Sequence, residues 1–447
     1  MTSEIIGAAI ILAAGKGTRM KSSLPKVLHE IGGRAMLGHV ADAVMELNPQ
    51  AVIVVTGKDA DEIDAFAISL GSSINTVTQS PPLGTGHAVQ QAAPLLKTIS
   101  GAVLVLYADT PLVTGNTLKT MAGEINRGAA VAVLGFTPDD PGAYGRLKQN
   151  ENGDLIAIIE ANDASDQELA IRLCNSGVMA VEAEFLKRQI FELKNDNAKS
   201  EYYLTDLAEI AVAKGNRCAI VETDDEEVLG VNSRAELAVA EAVFQDRKRQ
   251  SVMDAGATLI DPQSVFFSHD TSLGRDVTVE PNVVFGAGVN VGNNATIKAF
   301  SHIEGAQIAD GASVGPFARL RPGASLSEGA KVGNFVEIKN AEIGAGAKVS
   351  HLTYIGDASI GAEANIGAGA ITCNYDGFGK HKTTIGKNAF IGSNSSLVAP
   401  VEIGDGAYVG SGSVITKNVE PGDLAVARGR QAAIKDWATK FRQAHKK

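Results

Sequence analysis

The sequence predicts two domains of different class, an α/β domain followed by a parallel β-helix. Three observations predict it. Over residues 1–228, near-continuous aliphatic runs alternate with helix-sized segments. From Leu273 onward, large apolar residues recur every six positions. Between the two rhythms lies a single helical stretch, residues 229–256.

In the first part the runs are Ile5–Leu12, Ala51–Thr56, Ala102–Tyr107 and Ala130–Phe136. Runs of Val, Ile, Leu and Ala with no alternating polar face fit strands buried on both sides, as in a mainly parallel sheet covered by helices. In the connecting stretch, Ser233 and Glu236 have capping-box spacing, Leu237, Ala240 and Phe244 follow at helical intervals, and Gly256 suits a helix end.

The third part, 257–447, carries its anchors at Leu273, Val279, Phe285, Val291, Ile297 and Ile303, on to Ile366, and again from Ile385 to Ile415. A six-residue period is too short for helical repeats and fits one short side of a triangular coil per hexad. In typical hexads, such as "IGAGAK" and "VGPFAR", a small residue follows the anchor and makes room at the corner. Twenty-four hexad positions at three per coil give about eight coils. The steps after Ile303, Ile338 and Ile355 are five residues long, shortenings that a corner can absorb. From Thr372 to Ile385, "TCNYDGFGKHKTT" must leave the coil as a loop, a favoured place for function.

Composition narrows the function. A formal charge of −11 opposes generic binding to nucleic acid or anionic membranes, which needs clustered cations. No apolar run approaches the roughly 20 residues that cross a bilayer. Ile5–Ala14 is as long as a secretory signal core but is flanked by Glu4 and no basic residue, so a buried strand is expected. Cys174, Cys218 and Cys373 lie far apart and form no CxxC pair, which indicates neither a disulfide framework nor a zinc site and suggests a reducing cytoplasm.

Any phosphate must therefore be met by local cations, and "AAGKGTRM" provides some after the first strand. It is neither a Walker A loop nor a full dinucleotide fingerprint. Glycines there let backbone N–H groups approach a phosphate, and a helix starting next would add its dipole. Taken alone, the segment is equally a tight turn with solvated charges. "YADTPL" puts Asp109 at a strand end, where an acid can hold a divalent metal or simply begin a turn before Pro111. "QSPPLGTGHA" offers Gln79, Gly84 and Thr85 to a base edge, or forms a plain Pro/Gly turn.

Together, "LAAGKGTRMKSSLPKVLH", "LGTGHA", "YADTPL", "GAYGRL", "NSG" and "GVNSR", in this order and followed by hexads, resemble a bifunctional bacterial family along essentially the whole chain. Its members fuse an N-acetylglucosamine-1-phosphate uridylyltransferase to a glucosamine-1-phosphate acetyltransferase and make UDP-N-acetylglucosamine, a precursor of peptidoglycan and lipopolysaccharide. The resemblance implies a Rossmann-like nucleotidyltransferase domain and a left-handed parallel β-helix. It assigns the nucleotide UTP to Leu12, Ala13, Ala14, Gly15, Lys26, Gln79, Gly84, Thr85 and Tyr107–Ala108–Asp109. Gly145, Glu160, Asn175 and Asn232 match contacts to sugar or nucleotide, Asp109 and Asn232 match magnesium (Mg2+) ligands, and Arg19 and Lys26 offset triphosphate charge. Ala108 stands where the family has glycine, Ala161 and Asn162 replace more polar or basic residues, and Phe378 and Gly379 have no assigned counterpart.

In the hexads, His351, Tyr354, Asn365, Asn374 and Tyr375 interrupt the pattern. A histidine has the pKa to accept a proton from an attacking amine, although a lone one on a solenoid is usually a surface residue. Glu337, about one coil upstream, is expected beside it. The resemblance makes His351 the acetyl-transfer base. It assigns the amino-sugar phosphate to Arg321, Lys339, Tyr354 and Asn365, and acetyl-CoA to Ala368, Asn374, Tyr375, Ser393, Ser411 and Arg428. It also implies a homotrimer. The basic tail, with the only tryptophan, Trp437, is expected to cover the CoA site or cap the stack. The rival readings are a monofunctional sugar nucleotidyltransferase whose β-helix serves only oligomerisation or regulation, and a binding or scaffold protein without catalysis. The presence of Lys26, Asp109 and His351 argues against the scaffold.

Overall fold

A computed structural model describes residues 6–446 apart from 16, 163 and 198. Chain contacts divide it into two compact units, Met1–Gln245 and Asp246–Lys447. The 21-residue helix Arg234–Asp254 carries the chain from one into the other.

The first unit is built on a twisted sheet. Its strands run in the spatial order Cys218–Glu222, Val131–Phe136, Cys174–Glu182, Ala102–Tyr107, Ile6–Leu12, Ala51–Gly57, Ile74–Gln79. All neighbouring pairs on this path are parallel except those of Cys174–Glu182, which runs antiparallel to both of its neighbours. Side chains alternate between two apolar layers: Ala9, Ile11, Val54 and Leu104 pack on one face, and Ala8, Ile10, Val55 and Val105 on the other. With both faces covered, the strands have no polar register to keep, which is why they read as unbroken aliphatic runs. A hairpin, Arg146–Gln149 with Leu155–Ile159, is attached to Cys174 and extends this sheet beyond the cleft described below.

The second unit is a coil of short parallel strands. In one face Val279, Ile297, Val314, Val332, Val349, Ile366, Ile391 and Val409 pair in succession. Their side chains fill one continuous interior with the anchors of the other faces. Coil steps in this column are 18 residues where all three sides are six long, 17 where one side is shortened to five, and 25 from Ile366 to Ile391, where the loop leaves. Two of the five-residue steps have a direct structural form: Glu337–Ile343 and Tyr354–Ile360 each turn a corner as one unbroken strand, which merges two faces into a single sheet. The coil also begins earlier than its periodicity. Thr258–Leu259 already pairs with Thr278–Val279, before Leu273. Pro262 and a 3-10 turn interrupt the hexads there and hide the first rung.

Candidate active sites

At the carboxyl ends of the central strands, where open α/β sheets gather ligands, lies a cleft of about 540 Å³. Its walls include Leu12, Ala13, Ala14, Gly15, Lys26, Gln79, Gly84, Thr85, Tyr107, Asp109, Gly145, Glu160 and Asn175. Thirteen residues expected from separate segments thus share one cavity. Three others do not line it. Ala108 is fully buried beneath, Arg19 is exposed on the three-residue turn Thr18–Met20, and Asn232 meets the site through Lys26.

The glycine loop acts differently from the sequence expectation. No α-helix follows it directly: the 3-10 turns Thr18–Met20 and Lys26–Leu28 and the short hairpin of Glu30–Ile31 with Arg34–Ala35 come before the helix Met36–Met45, so no α-helix begins at the loop. Pro25 holds its predecessor extended and blocks an earlier helix. Lys16 lies outside the described residues. Gly17 has φ +58, and a Cβ there would stand 2.5 Å from the Cβ of Lys26. The loop's lack of bulk thus lets Lys26 lie against it. At Gly15 a Cβ would meet no protein atom within 4 Å, so that position borders open space in the cleft.

Lys26 is the centre of the charged end. Its Nζ donates to Asn232 Oδ1 at 3.0 Å and is ion-paired with Asp109 Oδ2. The Lys26 side chain is only 9% exposed and that of Asp109 20%. Backbone groups fix two of the three: Val231 N donates to the carbonyl of Asp109 at 2.8 Å, and Asn232 N donates to Glu236 Oε2 at 2.7 Å. Glu236 N in turn donates to Ser233 Oγ at 3.3 Å, so the capping carboxylate predicted from sequence is what anchors Asn232.

Tyr107 lines the cleft within electrostatic reach of both Asp109 and Glu160. Its phenol is pushed up to about 12 by burial, with the Asp109 and Glu160 carboxylates adding to the shift against a hydrogen bond with Thr85. It therefore stays neutral at physiological pH. Gly177, at φ +88, is required beside it, because a Cβ would stand 2.7 Å from Tyr107 Cε2. Asn175 Oδ1 accepts from Gly177 N at 2.9 Å, and Asn175 N donates to the Gly145 carbonyl at 2.8 Å. Sequence reasoning missed the opposite wall, Lys199, Glu201, Tyr203 and Thr205. That segment is stitched to the "LGTG" turn by Tyr202 N to Leu83 O, Gly86 N to Tyr202 O and Leu204 N to Thr85 Oγ1. The aromatic and acidic run "EYYLTD" was the available signal.

On the β-helix, the strand pairing sorts the second set of residues into columns. Asn334 and His351 are register partners two positions past the paired Val332 and Val349. Ala368, Ser393 and Ser411 stand two positions past Ile366, Ile391 and Val409, in the same column. Arg428 closes it by donating to the Ser411 carbonyl at 2.7 Å. Asn334, which sequence reasoning missed, lies with its Oδ1 2.6 Å from His351 Nδ1. Glu337 is not in that position. It pairs in register with Tyr354 and binds Arg321 at 2.9 Å, because one coil here spans 17 residues, whereas only 14 separate Glu337 from His351.

Arg321 and Lys339 project from the adjoining face. Lys380, in the long loop, stands beside Lys339 and lowers its pKa by like-charge contact. Two neighbouring ammonium groups favour a shared anion. Asn374 donates to Asp357, and Tyr375 OH to the Gly377 carbonyl at 2.6 Å, so both are tied to the loop or its base. Asn365 lies on the preceding face, paired with Lys348 and Phe390. Phe378 is fully exposed, and nothing in the structure explains it. The tail helix Trp437–Ala444 is exposed throughout, with Trp437 stacked on Phe441 at 4.9 Å.

A MobA-like NTP transferase domain model matches residues 9–158, and bacterial transferase hexapeptide models match 270–305 and 382–417. The α/β unit followed by a left-handed parallel β-helix is the corresponding architecture. The bifunctional protein GlmU of Paramagnetospirillum magneticum is 56% identical over 444 residues, covering 98% of both chains. That of Zymomonas mobilis is 51% identical over 449 residues, covering 100% of both. A UDP-glucose pyrophosphorylase complexed with UDP-glucose is 17% identical with a TM-score of 0.46, covering 54% of this chain and 100% of its own. On near-full-length identity above one half, with both domain models in order, the chain belongs to the GlmU family of bifunctional uridylyltransferase–acetyltransferases.

Proposed function

We propose that the cleft around Lys26 and Asp109 transfers uridylyl groups, and that the His351 column on the β-helix transfers acetyl groups, each with the substrates the sequence resemblance implies. The convergence of Lys26 on both Asp109 and Asn232 carries the first assignment. Two oxygens meeting on one cation form a hard-ligand pair of the kind that suits Mg2+, which keeps several waters and phosphate oxygens as its other ligands. Here the lysine ammonium occupies the meeting point. Asp109 and Asn232 would hold the ion, which when bound supplies positive charge to the triphosphate.

The rest of the transfer falls to binding and alignment. Gly15 and the loop backbone border the triphosphate, Lys26 and Arg19 offset its charge, and Gly145, Glu160 and Asn175 hold the sugar. A phosphate oxygen of N-acetylglucosamine-1-phosphate attacks the α-phosphorus of UTP. The new P–O bond forms as the bond to the β-phosphate bridging oxygen breaks, and pyrophosphate leaves. No protein nucleophile takes part. Neutral Tyr107 adds no negative charge that would repel the two polyanions.

In the acetyl transfer, Asn334 Oδ1 holds the proton of His351 on Nδ1 and leaves Nε2 with its lone pair. Nε2 accepts the proton of the glucosamine-1-phosphate amine as its nitrogen attacks the thioester carbonyl. The C–N bond forms, the C–S bond breaks, and CoA leaves as a thiolate that takes up a proton. Arg321, Lys339 and Lys380 offset the sugar phosphate. Ala368, Ser393, Ser411 and Arg428 give the pantetheine chain a straight track along the column.

Homotrimer assembly is supported by an exposed apolar ladder beside His351. Phe300, Phe317 and Phe335 stack at 4.9 and 5.1 Å, each close to half exposed, and Leu352 continues the corner at 63% exposure. All four have positive φ, a costly conformation for bulky side chains. No helix among the described residues is long and apolar enough to cross a membrane, and a cytoplasmic site fits the three separate thiols.

The reading is tested by mass spectrometry of the protein with glucosamine-1-phosphate, acetyl-CoA, UTP and magnesium, omitting one component at a time. Without acetyl-CoA no product is expected. Without UTP or magnesium, N-acetylglucosamine-1-phosphate should accumulate. Accumulation of UDP-glucosamine instead would contradict the order and the site assignments.

A further inference from the structure

We infer that His87 is a positioning residue that sets base selectivity in the cleft by fixing the direction of the Gln79 amide. The inference rests on the reading that the cleft takes UTP. Gln79 lines the cleft and is 5% exposed, so its amide is held by protein groups rather than by bulk water. One end of that amide lies 2.8 Å from the Gly84 carbonyl. A carbonyl only accepts, so the atom facing it is the nitrogen, Nε2. The same Nε2 lies 3.2 Å from His87 Nδ1. Both amide protons are thereby committed, and Oε1 is the atom left for a ligand.

The same contact fixes the imidazole. An amide N–H can donate to Nδ1 only if Nδ1 carries a lone pair, so His87 is neutral with its proton on Nε2. That Nε2–H needs an acceptor, and the side-chain amide of Gln91 lies 3.1 Å away. The structure turns the Gln91 nitrogen to that side, where it also donates to the His87 carbonyl at 3.3 Å. A neutral imidazole cannot accept at both nitrogens, and the 2.8 Å bond to Gly84 holds Gln79 more firmly, so on this inference Gln91 turns its oxygen to His87 and gives up that longer bond. The ring is further held by stacking on Tyr202, with centroids 6.3 Å apart and planes 28° from parallel. Tyr202 belongs to the segment stitched to the "LGTG" turn, so the second wall of the cleft and the orientation of Gln79 depend on one another.

An oxygen presented at Gln79 accepts from the N3–H of uracil. It meets the N3 lone pair of cytosine with repulsion. His87 therefore acts two contacts away from the base, through Gln79, and touches no reacting atom. Its substitution should alter discrimination between pyrimidines more than the transfer step itself.

The test compares kcat/KM for UTP and CTP in the full-length protein and in two variants, with acetyl transfer as an internal check on integrity. In His87→Leu the acceptor is gone and only Gly84 anchors the amide; the UTP-to-CTP preference is expected to fall on the order of tenfold, as when a polar group loses its fixed partner. His87→Asn places an oxygen near the former Nδ1 and should restore most of the preference. An unchanged ratio in His87→Leu, or equal ratios in the two variants, overturns the inference. If wild-type protein does not use UTP, the parent reading fails as well. Long-range proton–nitrogen NMR of the eight histidines, with His87→Asn identifying the signal, checks the wild-type protein independently of how well His87→Leu folds. A proton on Nε2 supports the inference, and a proton on Nδ1 overturns it.

Discussion

Asp109→Asn is expected to lower uridylyl transfer on the order of 10²- to 10³-fold, the scale of losing one preorganised electrostatic group, while acetyl transfer stays within about twofold. The change removes a charge and leaves the shape. In the structure Asp109 shares the Lys26 ammonium with Asn232, and a backbone bond from Val231 sets Asp109 while the Glu236 carboxylate sets Asn232. An asparagine keeps an oxygen for Lys26 but holds a divalent ion more weakly. Raising magnesium should therefore recover part of the rate, which a folding defect would not do. Initial rates of pyrophosphate release across a magnesium series read the effect, with acetyl transfer measured on the same preparation. Equal loss of both activities would mean that the substitution harms the whole chain.

His351→Ala is expected to do the reverse. General-base assistance contributes about 10²- to 10⁴-fold, so acetyl transfer should fall by that amount while pyrophosphate release is unchanged. Asn334→Ala should show a smaller loss of the same kind, because the imidazole remains but nothing holds the proton on Nδ1. Thiol release from acetyl-CoA at saturating amino sugar is the measurement.

Much of this was legible from local pattern. Ile6–Leu12 and its neighbours read as buried strands because nothing polar interrupts them. The anchors Val279 to Val409 read as a coil because each must stack on the next. The first cleft was legible through motif order, since the strands Ile6–Leu12, Ile74–Gln79 and Ala102–Tyr107 end at the same edge. What failed was reasoning that needed three-dimensional registration. Glu337 was expected beside His351 because hexads were counted, whereas a coil of 17 residues brings Asn334 there and sends Glu337 to Arg321. The glycine loop was expected to open a helix, but Pro25 and the 3-10 turns redirect the chain, and Gly17 serves the approach of Lys26 instead. The wall formed by Lys199, Glu201, Tyr203 and Thr205 reaches the cleft through tertiary hydrogen bonds to the "LGTG" turn, so the run "EYYLTD" marks an unusual segment but not the partner it docks on.

The central claim is that two independent catalytic centres act in sequence on one sugar, and complementation tests it most directly. Asp109→Asn and His351→Ala proteins are incubated separately and together with glucosamine-1-phosphate, acetyl-CoA, UTP and magnesium, and UDP-N-acetylglucosamine is quantified. The account predicts little product from either variant alone and near wild-type formation from the mixture, because the intermediate made by the first protein diffuses to the second. A mixture no better than its better component would contradict it.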